Sequence, residues 1–243
     1  MIQMTDLVKR FGDAEVLRGV TLSVPRGGIT VIIGGSGHGK SVLVKHMIGL
    51  LRPDAGSIVV DGDEITKIPE RDMLRVRRKF GMLFQSAALF DSMNVYENVS
   101  FALNEHTRLS EAEIRERVHA KLSLLGLHGV DDKFPSELSG GMKKRVGLAR
   151  AIVLDPSIII YDEPTTGLDP IMSENVDRMI VDAQEKLKVT SVVISHDMPS
   201  TFRIATHIAM IHEGRIILEG APDVFRRTEN PIVKRFVELG LAA

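Results

Sequence analysis

Ile29-Thr30-Val31-Ile32-Ile33 runs straight into Gly34-Gly35-Ser36-Gly37-His38-Gly39-Lys40-Ser41, and this junction decides the fold. The first five residues form a short, largely apolar run of the kind shown by a strand buried on both faces. The next eight match G-x-x-x-x-G-K-[ST] in full. From Lys40 to Leu51 the pattern is helical, with Leu43, Met47, Ile48 and Leu51 on one side. Glycines allow successive backbone N–H groups to turn inward as an anion-binding nest, which side chains would obstruct. A helix start adds its positive dipole end. In such a loop Lys40 supplies a point charge to β- and γ-phosphates, and the Ser41 hydroxyl is a ligand for Mg²⁺. The segment from Gly34 to Val42 therefore reads as a cradle for ATP and Mg²⁺. His38 sits at a variable position of the motif, where a tolerated loop residue is a plainer reading than a catalytic one.

Outward from the loop, strands and helices alternate. Val16–Val24 alternates in polarity and turns at Pro25-Arg26-Gly27-Gly28. Arg52-Pro53-Asp54-Ala55-Gly56 stops the helix after the loop, and Ser57–Asp61 is another strand. Arg71–Lys79 reads as a short basic helix before strand Phe80–Phe84. From about Gln85 to Arg150 the texture is helical, with a Ser110/Glu113 capping box opening one helix and Ser139-Gly140-Gly141 preceding another. Strands return at Ser157–Tyr161, Thr190–Ser195, Ile208–His212 and Arg215–Glu219, the last two joined by a Glu213-Gly214 hairpin turn. Helices Ile171–Leu187 and Pro199–Ala205 separate them. The expectation is an α/β fold of the P-loop NTPase (RecA-like) type: a mainly parallel core sheet, an inserted helical subdomain and an antiparallel β portion.

Ile158-Ile159-Ile160-Tyr161 ends in Asp162-Glu163. A carboxylate at the tip of a buried strand beside the phosphate loop is placed to hold Mg²⁺ through water, and the next acid to polarise an attacking water. Asp162 is assigned to the metal and Glu163 to general base.

Bulk properties narrow the function classes. The 243 residues are 44% hydrophobic and 26% charged, so a packed core is expected. Thirty-one basic against 32 acidic residues leave a charge of −1, no electrostatic footprint for nucleic acid. With no cysteine, disulfides and thiolate metal sites are excluded. Met1–Arg10 alternates and carries Asp6, unlike a signal peptide, and no apolar stretch nears the ~18 residues of a membrane span. The expectation is a soluble chain that a partner holds at a membrane.

The remaining motifs resemble the ABC transporter ATPase family over nearly the whole chain. Leu138-Ser139-Gly140-Gly141-Met142 is similar to the family signature, Gly167-Leu168-Asp169 to its D-loop, and Ser195-His196-Asp197 to its switch-histidine segment. Gln85 matches the family glutamine that links the nucleotide and metal to the helical subdomain, and Phe11 the aromatic ring under adenine. Alone, Gln85 would be a surface polar residue, His196 structural and Phe11 core. The resemblance implies Glu163, His196 and Gln85 as catalytic residues. It also implies Mg²⁺ at Ser41, Gln85 and Asp162, and ATP contacts from Phe11, from Gly34 through Val42, and from Ser139, Gly140, Gly141 and Asp169. It places an ATP-binding domain over 2–238, with a core of about 1–84 and 155–220, a helical subdomain of about 86–150, and a C-terminal helical tail over 221–243.

Two departures stand out: Met142 replaces the usual glutamine of the signature and Val42 the usual second hydroxyl after Lys40, and neither removes a group with a phosphate or metal role. The segments Met82–Phe90, Met93–Val99 and Pro135–Met142 resemble ATPases of MCE-associated systems, among them the bacterial Mla phospholipid transporters and the toluene-tolerance proteins. That resemblance implies a homodimer on the cytoplasmic face of the inner membrane. Its partners would be an integral membrane permease, an MCE-domain substrate-binding protein and a small accessory subunit. An importer of amino acids or another small solute is the alternative. A soluble ABC protein of DNA repair or translation fits worse, because there is one phosphate loop and no room for a long coiled-coil arm. Leu89, Phe90, Met93, Val95, Tyr96 and Phe101 form an apolar stripe in the region that resembles the permease-docking groove. Packing inside the helical subdomain is the competing reading.

Overall fold

The computed structural model describes residues 1–242. An antiparallel sheet of order β2-β1-β4-β5 uses β1 (Ile2–Phe11), β2 (Ala14–Val24), β4 (Ala55–Val60) and β5 (Asp63–Glu64). A six-stranded sheet has the order β10-β9-β3-β8-β7-β6. It consists of β3 (Ile29–Ile33), β6 (Phe80–Leu83), β7 (Ile158–Asp162), β8 (Thr190–Ser195), β9 (His207–His212) and β10 (Arg215–Gly220). All its neighbours pair in parallel except β10 with β9. The helices are α1 (Lys40–Met47), α2 (Met73–Arg77), α3 (Val95–His106), α4 (Glu111–Leu124), α5 (Gly140–Ile152), α6 (Pro170–Leu187), α7 (Met198–Ile204), α8 (Pro222–Arg226) and α9 (Pro231–Ala242).

Strand period explains the layers. In β7, Ile158 and Ile160 face one way and Ile159 and Tyr161 the other, and both sets are buried. The first set shares a core with α1, α2 and the antiparallel sheet, through Leu43, Met47, Val76, Met4 and Leu22. The second packs under α6, α7, α8 and α9, through Ile180, Met198, Phe225 and Val233. A third core, including Val99, Val118 and Val146, holds α3, α4 and α5 together. Among the described residues no helix is long and apolar enough to cross a membrane.

The differences from the sequence reading have local causes. The alternating N-terminal residues are themselves a central strand, β1, paired on both sides. Helix α1 stops at Met47 rather than Leu51, because Gly49 adopts φ +66°. That left-handed φ favours glycine where the chain turns against α2, and a Cβ there would also have to displace Met73 Cε, 2.1 Å away at the tip of its side chain. Val95 of the apolar stripe is buried in the third core, whereas Phe90 and Phe101 are exposed. Helices α8 and α9 pack onto the core through Phe225, Val233 and Val237; residue 243 of the expected tail lies outside the described residues.

Candidate nucleotide site

The C-terminal ends of parallel strands bring the motifs to one edge: Gly34 follows β3, Gln85 follows β6, Asp162 and Glu163 end β7, and His196 follows β8. Strand β8 lies between β3 and β7, so the end of the strand between the loop and the carboxylates carries His196, while Asp162 and Glu163 still act electrostatically on Lys40.

The loop's glycines have separate reasons. A Cβ on Gly34 would stand 2.3 Å from the Ile211 carbonyl oxygen of β9, so nothing larger fits as the chain leaves β3. Gly37 and Gly39 adopt φ +78° and +103°, where an L side chain is strained. Gly39 is the N-cap of α1 and offers no side-chain cap, so the first-turn N–H groups face the loop. Lys40 is buried, and its ammonium donates to the Gly34 and Gly35 carbonyls at 2.7 and 3.0 Å. Burial lowers its pKa, opposed by the Glu163 and Asp162 carboxylates. Ser36, Gly37 and Ser41 are exposed and Val42 half-buried. His38 is tied elsewhere: its Nδ1 accepts the Glu213 N–H at 3.0 Å and its ring lies 4.7 Å from that of His212. Burial, then His212 and Lys40, depress its pKa. The imidazole thus anchors the loop to the β9–β10 hairpin.

Asp162 is half-buried, and burial first, then the neighbouring Glu163 charge, raises its pKa against the pull of Lys40. Glu163 has φ +47°, an unfavourable conformation for a non-glycine residue that the surroundings must enforce. They do so at three points. The Glu163 N–H donates to the Ile194 carbonyl at 2.9 Å, Thr166 Oγ1 donates to Glu163 Oε2 at 3.1 Å, and His196 Nδ1 lies 3.6 Å from the same oxygen. Ser41, Gln85 and Asp162 offer a hydroxyl, an amide and a carboxylate, all hard oxygen donors that suit Mg²⁺. Among the described residues no group of three or more His, Cys, Asp or Glu could hold a metal alone, so such an ion would need phosphate oxygens or water to complete its shell.

Other predicted residues sit apart. Phe11 is 46% exposed, with the Lys9 ammonium over its ring 5.5 Å from the centroid. Ser139 N-caps α5 by accepting the Met142 N–H at 3.3 Å, and Gly140 is exposed beside it. With Gly141 they border a cavity of about 710 Å³ between α5 and α6 that contains no residue of the phosphate loop. Asp169 caps α6 by accepting the Met172 N–H at 2.9 Å. Thr166 and Lys144 escaped the sequence reading, and Glu213 was read only as part of a hairpin turn. Thr166 carries a local signal, a hydroxyl three residues after an acid. The tie of Glu213 to His38 and that of Lys144 to Pro164 are tertiary contacts that no local pattern announces.

A family model described as ABC transporter matches residues 17–166. The chain is 42% identical over 236 residues to the probable ribonucleotide transport ATP-binding protein mkl of Mycobacterium tuberculosis, covering 97% of this chain and 66% of the relative, so it spans about two thirds of that protein's length. It is 40% identical over 238 residues to the intermembrane phospholipid transport system ATP-binding protein MlaF of Haemophilus influenzae, covering 98% and 90%. Among solved structures it resembles CbiO1 of Clostridium perfringens, part of an ABC transporter complex, with a TM-score of 0.87, 34% identity and coverage of 99% and 95%. A dimeric ATP-binding cassette in a post-hydrolysis state with ADP and Pi gives a TM-score of 0.80 at 28% identity, covering 91% and 98%. The chain belongs to the ABC transporter family and is one of its ATP-binding cassettes.

Proposed function

We propose that this chain hydrolyses ATP as the cytoplasmic-face subunit of a membrane transporter moving phospholipid between membranes. The observation that carries the ATPase reading is Glu163, fixed at φ +47° by Ile194, Thr166 and His196 at the strand-end edge that carries Lys40. Glycine N–H groups of residues 34–39 and the start of α1 bind the triphosphate, Lys40 neutralises its β,γ end, and Phe11 stacks on adenine. Ser41, Asp162 and Gln85 would hold Mg²⁺, which supplies charge neutralisation on the phosphates. Glu163 takes the proton of the attacking water, and His196, beside the same carboxylate oxygen, orients water and γ-phosphate. Ser139, Gly140 and Gly141 contribute from a second copy, because within one chain their cavity contains none of the phosphate loop; Asp169, next to the cavity residue Leu168, contributes from the same interface. The 28%-identical neighbour solved as a dimer supports that arrangement.

The membrane partner is a permease docking on Phe84, Phe90 and Phe101, exposed rings that line a groove of about 400 Å³ with Arg78 and Arg150. The rings of Phe90 and Phe101 are 5.2 Å apart, a ready apolar anchor for a short helix. Phospholipid as cargo, with an MCE-domain protein and a small accessory subunit, is supported by the MlaF relatives, which match over 98% of this chain and 88–90% of their own length. Purification with the native membrane partners, followed by mass spectrometry of bound lipid, tests the cargo. Glycerophospholipid and an MCE-domain protein are expected; a soluble solute-binding protein carrying a nucleotide or amino acid would overturn the lipid reading and leave the ATPase standing.

A further inference from the structure

Helix α5 is held firmly at one end and loosely at the other. In its C-terminal half, Gly147 lies so close to β6 that a Cβ would meet Leu83 Cδ1 at 2.9 Å. Arg150 donates to the Ala87 and Ala88 carbonyls, both at 2.8 Å. Its N-terminal half, starting at Ser139, faces the cavity of about 710 Å³ that separates it from Leu168, Met172 and Val176. Across that gap the Lys144 ammonium donates to the Pro164 carbonyl. Among the described residues it is the hydrogen bond that joins residues 139–146 to the strand–helix core.

Lys144 is an expensive choice for the position. It is 9% exposed, no carboxylate pairs with it, and burial alone pulls its pKa down. A buried cation without a counter-ion costs stability that an apolar residue would avoid. Its acceptor is the carbonyl of Pro164, the residue directly after Glu163, whose backbone is already strained at φ +47°, so a pull on Pro164 acts one residue from the catalytic carboxylate.

We propose that Lys144 is a positioning residue that couples the two nucleotide sites of the closed dimer. The N-terminus of α5 grips γ-phosphate bound to the partner's phosphate loop, and Lys144 passes that movement through Pro164 to Glu163 of its own chain, which serves the other ATP. The inference rests on the reading that Ser139, Gly140 and Gly141 act across the dimer.

The test compares wild type, Lys144→Met and Lys144→Arg in the purified transporter complex, reading kcat, KM, the Hill coefficient for ATP and the melting temperature. It also reads ATP-dependent dimer formation of the isolated chain in a Glu163→Gln background. Wild type is expected to show a Hill coefficient above 1. Lys144→Met lowers kcat about tenfold, equivalent to about 1.4 kcal/mol, and brings the Hill coefficient to 1. Its KM stays near wild type, its melting temperature is equal to or above wild type, and the dimer still closes, while Lys144→Arg restores cooperativity. A closed dimer with unchanged kcat and Hill coefficient in Lys144→Met overturns the coupling alone. A kcat loss that merely tracks lost melting temperature and ATP binding overturns it in favour of a structural role. Failure of Glu163→Gln to dimerise with Lys144 intact overturns the cross-dimer reading and the coupling with it.

Discussion

Replacing Lys40 by alanine removes the one cation built into the phosphate loop. Its ammonium has three donors, of which Gly34 and Gly35 take two, leaving one N–H and the full charge for phosphate. A charge-assisted hydrogen bond contributes about 1.5–3 kcal/mol. In a site as enclosed as this one, where Lys40 is 8% exposed, the upper figure applies. A loss of about 3 kcal/mol from the transition state corresponds to about 10²-fold in kcat/KM, and weaker ATP binding compounds it. Both Lys40→Ala and Lys40→Met leave the Gly34 and Gly35 carbonyls without their donor, but methionine keeps the packing of the stem, so comparing the two separates lost packing from lost charge. The assay is phosphate release against ATP concentration, with nucleotide affinity measured separately and melting temperature as the check on folding. Both variants should lose hydrolysis. Activity within twofold of wild type would refute the assignment of the phosphate loop.

Phe90→Asp places a charge in the proposed permease groove at a residue 43% exposed, so the isolated chain should fold and bind ATP yet fail to co-purify with the permease. Retained co-purification, or global unfolding, would show that this surface is not the dock. Asp177, its side chain 3% exposed, accepts Ser200 Oγ at 2.5 Å and Arg203 Nε at 2.8 Å to tie α6 to α7. Burial outweighs those bonds and raises its pKa. A raised native pKa gives stability that is complete below the unfolded value, about 3.9, and is lost as pH rises through the native one. The melting temperature of Asp177→Asn relative to wild type should therefore climb as pH rises above about 4, and a constant difference would contradict the burial argument.

Legibility in the sequence followed the range of the interactions. The phosphate loop, the capping boxes at Asn94/Glu97 and Ser110/Glu113 and the hairpin at Glu213-Gly214 are local, and residue type alone announces each except the first box, which the apolar stripe around it masked. What stayed hidden needed partners distant in sequence. The insertion of β8 between β3 and β7 is a matter of topology, and it sets His196 beside Glu163. The tie of His38 to the Glu213 N–H bridges 175 residues, and that of Lys144 to Pro164 joins α5 to the segment after β7, 20 residues on. The Asp169 carboxylate, beside its expected nucleotide contact, caps α6 in the single chain by accepting the Met172 N–H. Val95 could not be told from Phe90 by hydropathy, because α3 turns one of them into the third core and leaves the other outside it.

The central claim, that Glu163 is the base of an ATPase whose sites close between two copies, has a direct test in Glu163→Gln. The amide keeps the shape and can still accept from Thr166, but it cannot take a proton from water. Hydrolysis should fall by about 10²–10⁴-fold, the usual worth of a general base, while ATP binding persists. Light scattering of the isolated variant with ATP should then report a stable dimer that the nucleotide-free protein does not form. A monomer that binds ATP and hydrolyses it at the wild-type rate would contradict both the base and the dimer.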